Sequence, residues 1–344
     1  MTFVSVINIE AKTNYIDLVL TENLICALTD TEKLQFFDNK TGQIINLKLD
    51  INYGIKIIST DHFGKLVVVD KDNNIRRLQL ETRTFEFIAK VKQNLYYILF
   101  DSKNDCYAIT EKGILNLKTN KIYFSNNSFN HQIIFEDKWE KPYCYFIDRS
   151  DIIWLGYGYG EWGGNIFTFE TITNKFISPN LESFNIALWP IKSFFEDDSC
   201  TYLSSGLQHM RTRSIIIKFK NLKATALFET EFKRMQLSGN GSFEELFEAE
   251  YIGPSAYNKY NKSIYFYSQN GIFKGELNKD LSKIENWSNI IKPKLHWSQG
   301  QPDAVGSPMN VFKLAIIDRD RFLFLTQHDG IGFYDGQNLQ MIDL

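Results

Sequence analysis

Three observations predict an all-β fold built from repeats. A strand, acidic turn, strand unit recurs along the chain, short hairpin signals separate the apolar runs, and no stretch sustains the 3.6-residue apolar period of a long helix. The 344 residues include 15% aromatics, with 28 Phe and 17 Tyr, and such flat side chains pack well across pleated strands. Only 7 prolines are present, which leaves little sequence for disordered linkers.

The unit reads as three or four apolar-rich residues, an acidic turn and a second apolar run. It appears as IISTDHFGKLVVV (57–69), YILFDSKNDCYAI (97–109), CYFIDRSDIIWL (144–155), KSFFEDDSCTYL (192–203) and LAIIDRDRFLFL (314–325). A looser copy is DLVLTENLICAL (17–28), and Ser263–Tyr267 opens the second run without a clear acidic turn before it. A third strand and usually a fourth follow, as in KLQFFDNKTGQIINLKL (33–49), NIRRLQLETRTFEFIAKV (74–91) and GILNLKTNKIYFSN (113–126). The second runs begin at Leu24, Leu66, Cys106, Ile152, Thr201, Ile264 and Phe322, about 40 to 60 residues apart, which is the size of a four-stranded propeller blade. Asn39-Lys40-Thr41-Gly42, Thr173-Asn174-Lys175 and Asp335-Gly336 supply turn residues that tolerate positive φ.

A row of meandering sheets leaves two exposed edges unless it closes on itself. The prediction is therefore one β-propeller domain over residues 1–344, with seven four-stranded blades closed by a terminal strand. Six and eight are the neighbouring counts, because the units after residue 230 are the least regular. Phe3–Ile9 or Asn338–Leu344 would supply the closing strand. Ser242–Ala249 (SFEELFEA) reads either as a short helix, with Ser242 and Glu245 at capping-box spacing, or as an edge strand. The form D-x-x-(G/D)-x-(L/I)-W-(L/I)-G, read in DRSDIIWLG (148–156), resembles the propeller repeats of bacterial two-component sensor proteins. That resemblance implies the fold and brings a small-ligand sensor domain into the functions to be weighed. A Trp-Asp dipeptide is absent, and tandem Gly-Gly does not recur.

The net charge is −3 and no block of Lys and Arg occurs, which argues against a nucleic-acid partner. No apolar run approaches the ~20 residues of a membrane span. The start, MTFVSVINIEAK, lacks the basic region and apolar core of a signal peptide. The expectation is a cytoplasmic protein without a membrane partner. Cys26, Cys106, Cys144 and Cys200 sit singly in apolar runs and read as reduced, buried, small hydrophobes. The Lys-, Asn-, Ile- and Phe-rich composition fits an AT-rich bacterial genome.

With strands a, b, c and d in each unit, the a–b and c–d connections share one face of the ring, and the b–c and d–a connections share the other. The first set is nearly all short, with Gly253–Lys262 and Asn278–Glu285 as exceptions. The second carries long insertions: 127–142, 158–164, 179–190, 207–212, 231–241 and 292–309. One-sided insertions on a repeat fold mark a binding face. GYGYGEWGGN (156–165) sets Tyr157, Tyr159, Glu161 and Trp162 among five glycines. Glycine permits close approach of another backbone, and Trp and Tyr are enriched at binding hot spots. Its spacing fits no phosphate loop. SSGLQHMRTRS (204–214) adds Gln208, His209, Arg211 and Arg213, a group suited to a carboxylate or an acidic partner surface. KLHWSQGQPDAVGSPMN (294–310) adds His296, Trp297, Gln301 and Asp303.

His131, His209, His296 and His328 all fall on this face, but no pair has ligand spacing and neither HExxH nor C-x-x-C occurs. No metal and no cofactor is expected. Asp61, Asp101, Asp148, Asp197, Asp198, Asp318 and Asp320 recur at equivalent turns, where an aspartate caps backbone. A glycosidase instead needs two carboxylates facing one sugar across ~5–9.5 Å. No nucleophile elbow is present.

The function expected is a non-catalytic protein-binding module that uses the insertion-rich face, around residues 158–164, to engage another protein. Its specific form would be a bacterial immunity protein or inhibitor that neutralises a partner toxin or enzyme. The alternatives are a carbohydrate-active hydrolase or lyase, with Tyr157, Tyr159, Trp162 and Trp297 stacking on sugar rings, and the small-ligand sensor domain.

Overall fold

Seven four-stranded antiparallel sheets follow one another along the chain, each in the order a-b-c-d. They are seen in a computed structural model that describes residues 13–343, apart from 50, 126–133, 136–137, 183, 209–211, 232–235, 238–242, 245–248, 299–300 and 303–309. Blade 1 runs from strand Tyr15–Leu20 to Ile44–Ile45, blade 2 from Ile55–Thr60 to Thr84–Lys90, and blade 3 from Leu95–Phe100 to Lys121–Tyr123. Blade 4 runs from Cys144–Ile147 to Lys175–Ile177, blade 5 from Ile191–Glu196 to Lys223–Glu231, blade 6 from Ser255–Asn258 to Trp287–Ile291, and blade 7 from Val311–Ile316 to Leu339–Ile342. Each a strand touches the a strands of both neighbouring blades, and that of blade 7 touches that of blade 1. The sheets therefore ring a common axis as a seven-bladed β-propeller.

The b strands begin at Leu24, Leu66, Cys106, Ile152, Thr201, Ser263 and Phe322, within one residue of the starts read from the sequence. In blades 1, 2, 3, 6 and 7 every b-strand residue is buried. A b strand has a neighbouring blade against each face, so both of its side-chain rows are apolar. The core is accordingly seven layers, one per blade junction. Leu28 and Phe36 meet Ile58 and Val68 between blades 1 and 2, and Ile25 and Phe37 meet Leu323 and Ile331 between blades 1 and 7.

Of the two terminal segments, Leu339–Ile342 completes blade 7 as its outer strand, paired with Ile331–Tyr334; Phe3–Ile9 lies outside the described residues. Side chains then hold the seam between blades 7 and 1. Lys313 Nζ donates to Asp17 Oδ1 at 2.7 Å, and Arg321 Nη1 donates to the Lys40 carbonyl at 2.6 Å.

The acidic turns have a common construction. Asp148 Oδ1 accepts from the N–H groups of Ser150 and Ile152 at 2.9 and 3.0 Å. Asp61 and Asp101 cap their turns in the same way. Three residues on, Gly64, Asn104 and Asp151 have φ of 72°, 63° and 60°, a left-handed conformation that suits Gly, Asn and Asp. The side chain at that position also reaches the preceding blade. Asn104 Oδ1 accepts from the His62 N–H at 3.0 Å, and the Asp151 carboxylate accepts from Ser102 N and Oγ at 2.7 and 2.6 Å. Asp198 and Asp320 are exposed.

Two readings change. The supposed long connection Gly253–Lys262 contains the a strand of blade 6, which leaves residues 259–262 as the turn. Asn258 stands where other blades have Asp, and Ser255 and Ala256 break the apolar run, so the pattern hid the strand. Phe243–Glu244 is a short strand paired with Gln236–Leu237, while Ser242 and Glu245 lie outside the described residues.

Candidate functional site

The junction of blades 4 and 5 carries the most developed structure on the insertion face. Strands Ile152–Gly158 and Gly164–Glu170 are joined through a 3-10 turn at Gly160–Trp162. Gly163 has φ of 87°, and a Cβ there would lie 1.7 Å from the Ala187 carbonyl oxygen; at Gly164 it would lie 2.0 Å from that of Trp189. The glycines do admit a second backbone, but it is the chain's own connection into blade 5 rather than a partner's. That connection forms another 3-10 turn, Ile186–Leu188, capped by Asn185 Oδ1, which accepts from the Ala187 N–H at 3.2 Å. The two turns pack together. Trp162 is 68% exposed and Leu188 50%. Beneath them Trp189 is buried, stacked on Phe184 at 5.6 Å and covered by the Arg213 guanidinium at 4.5 Å. Arg213 Nη2 donates to the Leu188 carbonyl at 2.8 Å. An exposed Trp and an exposed Leu thus stand on adjacent turns over a fixed base.

Several expected contact residues have other roles. Tyr157 is 1% exposed and belongs to the core between blades 3 and 4 with Trp139 and Phe167. It lies on a b strand, where both faces are covered, so it presents no side chain to a partner. Tyr159 is half-buried, its ring 6.2 Å from that of Tyr157. Burial pushes both phenols well above their ordinary pKa, so they stay neutral. Arg213 is turned onto Trp189 and Leu188 instead of waiting for a carboxylate. The Glu161 backbone lies in the 3-10 turn and that of Gln208 pairs with Thr212; their side chains are outside the described residues. His209, Arg211 and Asp303 are outside them as well, as is His131. His296 belongs to another junction, between blades 6 and 7. Its N–H donates to Asp329 Oδ2 at 2.7 Å and its Nδ1 meets Asp329 Oδ1. Trp297 lies on the short strand His296–Ser298, which pairs with Gln301–Pro302.

Leu188 and Trp189 were missed by reasoning from sequence. The available signal was an apolar run, Ile186 to Trp189, inside a connection noted only for its length. Trp139 was missed too: its fully buried ring stacks on Phe167 at 5.0 Å and anchors the connection into blade 4.

A second concavity lies on the axis. A cavity of about 590 Å³ is lined by the a strands of all seven blades. Its lining reaches Asp61, His62 and Glu196, so it opens on the face of short turns. Leu20, Ser59, Phe100, Ile147, Phe195 and Ile316 line it near the short turns, and Tyr97, Tyr145 and Lys313, nearer the starts of their strands, line it farther in.

No family model and no curated protein sequence matches the chain. Solved structures do resemble it. The extracellular domain of a putative one-component system from B. thetaiotaomicron is 12% identical with a TM-score of 0.55, covering 94% of this chain and 38% of that one. Kuenenia stuttgartiensis hydrazine synthase is 9% identical with a TM-score of 0.58, covering 100% and 99%. A computationally designed protein is 10% identical with a TM-score of 0.52, covering 96% and 83%. This chain therefore spans well under half of the first of these. Proteins of such different kinds have the propeller in common, and the likeness carries the fold alone. Among the described residues no helix is long and apolar enough to cross a membrane.

Proposed function

We propose that this propeller is a non-catalytic protein-binding module whose insertion face, centred on Trp162 and Leu188, engages another protein. The observation that carries this reading is a tryptophan left 68% exposed on a turn locked by Gly163 against the neighbouring connection. Exposed large aromatics on pre-organised loops are the usual anchors of protein interfaces, because little ordering entropy remains to be lost on binding. The finer reading is a bacterial immunity protein or inhibitor that occludes a partner toxin or enzyme. It is supported by the one-sided distribution of insertions and by the commitment of the recurring turn aspartates to backbone capping.

The test compares wild type with the Trp162→Ala/Leu188→Ala double variant. Partners are captured from cell extract, purified, and titrated back by calorimetry. The reading expects a stoichiometric complex whose Kd rises at least about tenfold in the variant, or about 1.4 kcal/mol, with thermal stability unchanged. Inhibition of the partner's activity would establish the finer form. Equal binding by wild type and variant, or failure to reconstitute any complex, would overturn the proposal.

A further inference from the structure

We propose that the axial cavity is a separate site for a small organic acid with an apolar body. At about 590 Å³ it falls within the ~300–1,000 Å³ range of small-molecule pockets. Its wall is more apolar than polar, with Leu20, Ile147 and Ile316 beside Ser59, Thr60 and Ser255. A cation is set into that wall. Lys313 is surrounded by protein, yet 34% of its side chain remains open, and it lines the cavity. An ammonium has three N–H donors, and one goes to Asp17 Oδ1 at 2.7 Å. Asp17 Oδ1 also accepts from the Leu18 N–H at 2.8 Å, and Asp17 is not part of the lining. A ligand therefore meets the cation of this pair rather than the carboxylate.

Tyr97 stands near Lys313, and Tyr145 lies against Tyr97. The rings of Tyr97 and Tyr145 stack at 4.7 Å with an interplanar angle of 10°. Burial raises the pKa of both, and each remains a neutral O–H donor. The Tyr145 ring lines the cavity, while its hydroxyl oxygen is buried toward the junction of blades 3 and 4. An ammonium inside a channel that is more apolar than polar matches a carboxylate carrying a hydrocarbon tail. An amine would be repelled by Lys313. A doubly charged anion would pass Glu196 on its way in.

The experiment uses 4-phenylbutyrate as probe and its carboxamide as the neutral control, read by calorimetry and ligand-observed NMR. The acid is expected to bind with a Kd of about 1 mM or tighter, at least about tenfold tighter than the amide. Lys313→Gln should abolish the preference for the acid. Because that change also opens the seam to blade 1, two further variants keep the test sharp. Lys313→Arg keeps a cation at the same position and should retain the preference for the acid. Ala315→Phe, on the cavity wall, should block both probes while circular dichroism stays native. Equal affinity for acid and amide, no binding of the acid in the millimolar range, or binding unchanged in folded Ala315→Phe would overturn the assignment.

Discussion

At the scale of single residues, Asp148 shows how much one carboxylate organises. Its first oxygen caps the turn, and its second accepts from Trp154 Nε1 at 2.8 Å and from Thr201 Oγ1 of the next blade at 3.1 Å. The same division of labour recurs with other donors. Asp197 Oδ2 accepts from the Tyr202 hydroxyl at 2.6 Å, and Asp61 Oδ2 lies 2.7 Å from Arg77 Nε. An indole and a phenol thus donate to the second oxygen in two blades, and in a third a guanidinium pairs with it by charge. This explains why the tryptophan of DRSDIIWLG is legible as a repeat residue in only one unit. Trp154→Phe keeps the packing and leaves one acceptor short, so it should lower stability by about 1–2 kcal/mol. Asp148→Ala strands four donors, three of them on buried residues, and should cost about 3 kcal/mol or more. Both are read as shifts in the guanidinium midpoint at unchanged m-value. A loss no larger for Asp148→Ala than for Trp154→Phe would show that the carboxylate does not organise the turn.

At the scale of elements, the b strands and the turns were readable because each imposes a local pattern. A strand covered on both faces must be continuously apolar, and the acidic turns of blades 2, 3 and 4 carry Gly, Asn or Asp at their left-handed position. The a strand of blade 6 was not readable, since Asn258 replaces the aspartate and Ser255 and Ala256 interrupt the apolar run. The candidate site was half legible. The insertions and Trp162 stood out, but whether Tyr157 faced solvent or core depended on how far its strand continued. The axial cavity left almost no mark, because a-strand side chains are shared with flanking blades; charged residues inside a strands, Asp17, Lys56, Lys192 and Lys313, do not single out the one that lines it. The stitches between blades also escape sequence patterns, since each joins residues more than 40 apart. Asp151→Gly isolates one of them. Glycine keeps the left-handed φ and removes only the carboxylate bound to Ser102, so a loss of about 1–2 kcal/mol is expected. Hydrogen exchange should locate it at the Ser102 amide, where unchanged protection would refute the assignment.

At the scale of the whole molecule, stability resides in seven inter-blade layers rather than in one hub, and those layers hold many groups that burial keeps protonated. The thiols of Cys26 and Cys106 are pushed well above their ordinary pKa by burial. So are the phenols of Tyr145, Tyr157, Tyr202 and Tyr251. In the unfolded chain thiols ionise near 8.5 and phenols near 10. A folded pKa raised above the unfolded one means that the native state holds the extra proton at alkaline pH. The stabilisation is therefore complete below about 8.5 and is lost as pH rises, by up to about 1.4 kcal/mol per pH unit for each group. Lys192 acts in the opposite sense. Burial lowers its pKa to about 8, so between about 8 and 10.4 the unfolded chain binds the extra proton and stability gains with pH, offsetting about one thiol. The expected profile is a shallow fall from pH 8.5 to 10 and a steep one above, where the tyrosines join. Urea midpoints at pH 7, 8.5, 9.5 and 10.5 under a phosphine reductant measure it. Cys26→Ala/Cys106→Ala should remove the shallow part and keep the steep one. A wild-type midpoint that holds level through pH 10.5 would mean that the layers admit water to these groups.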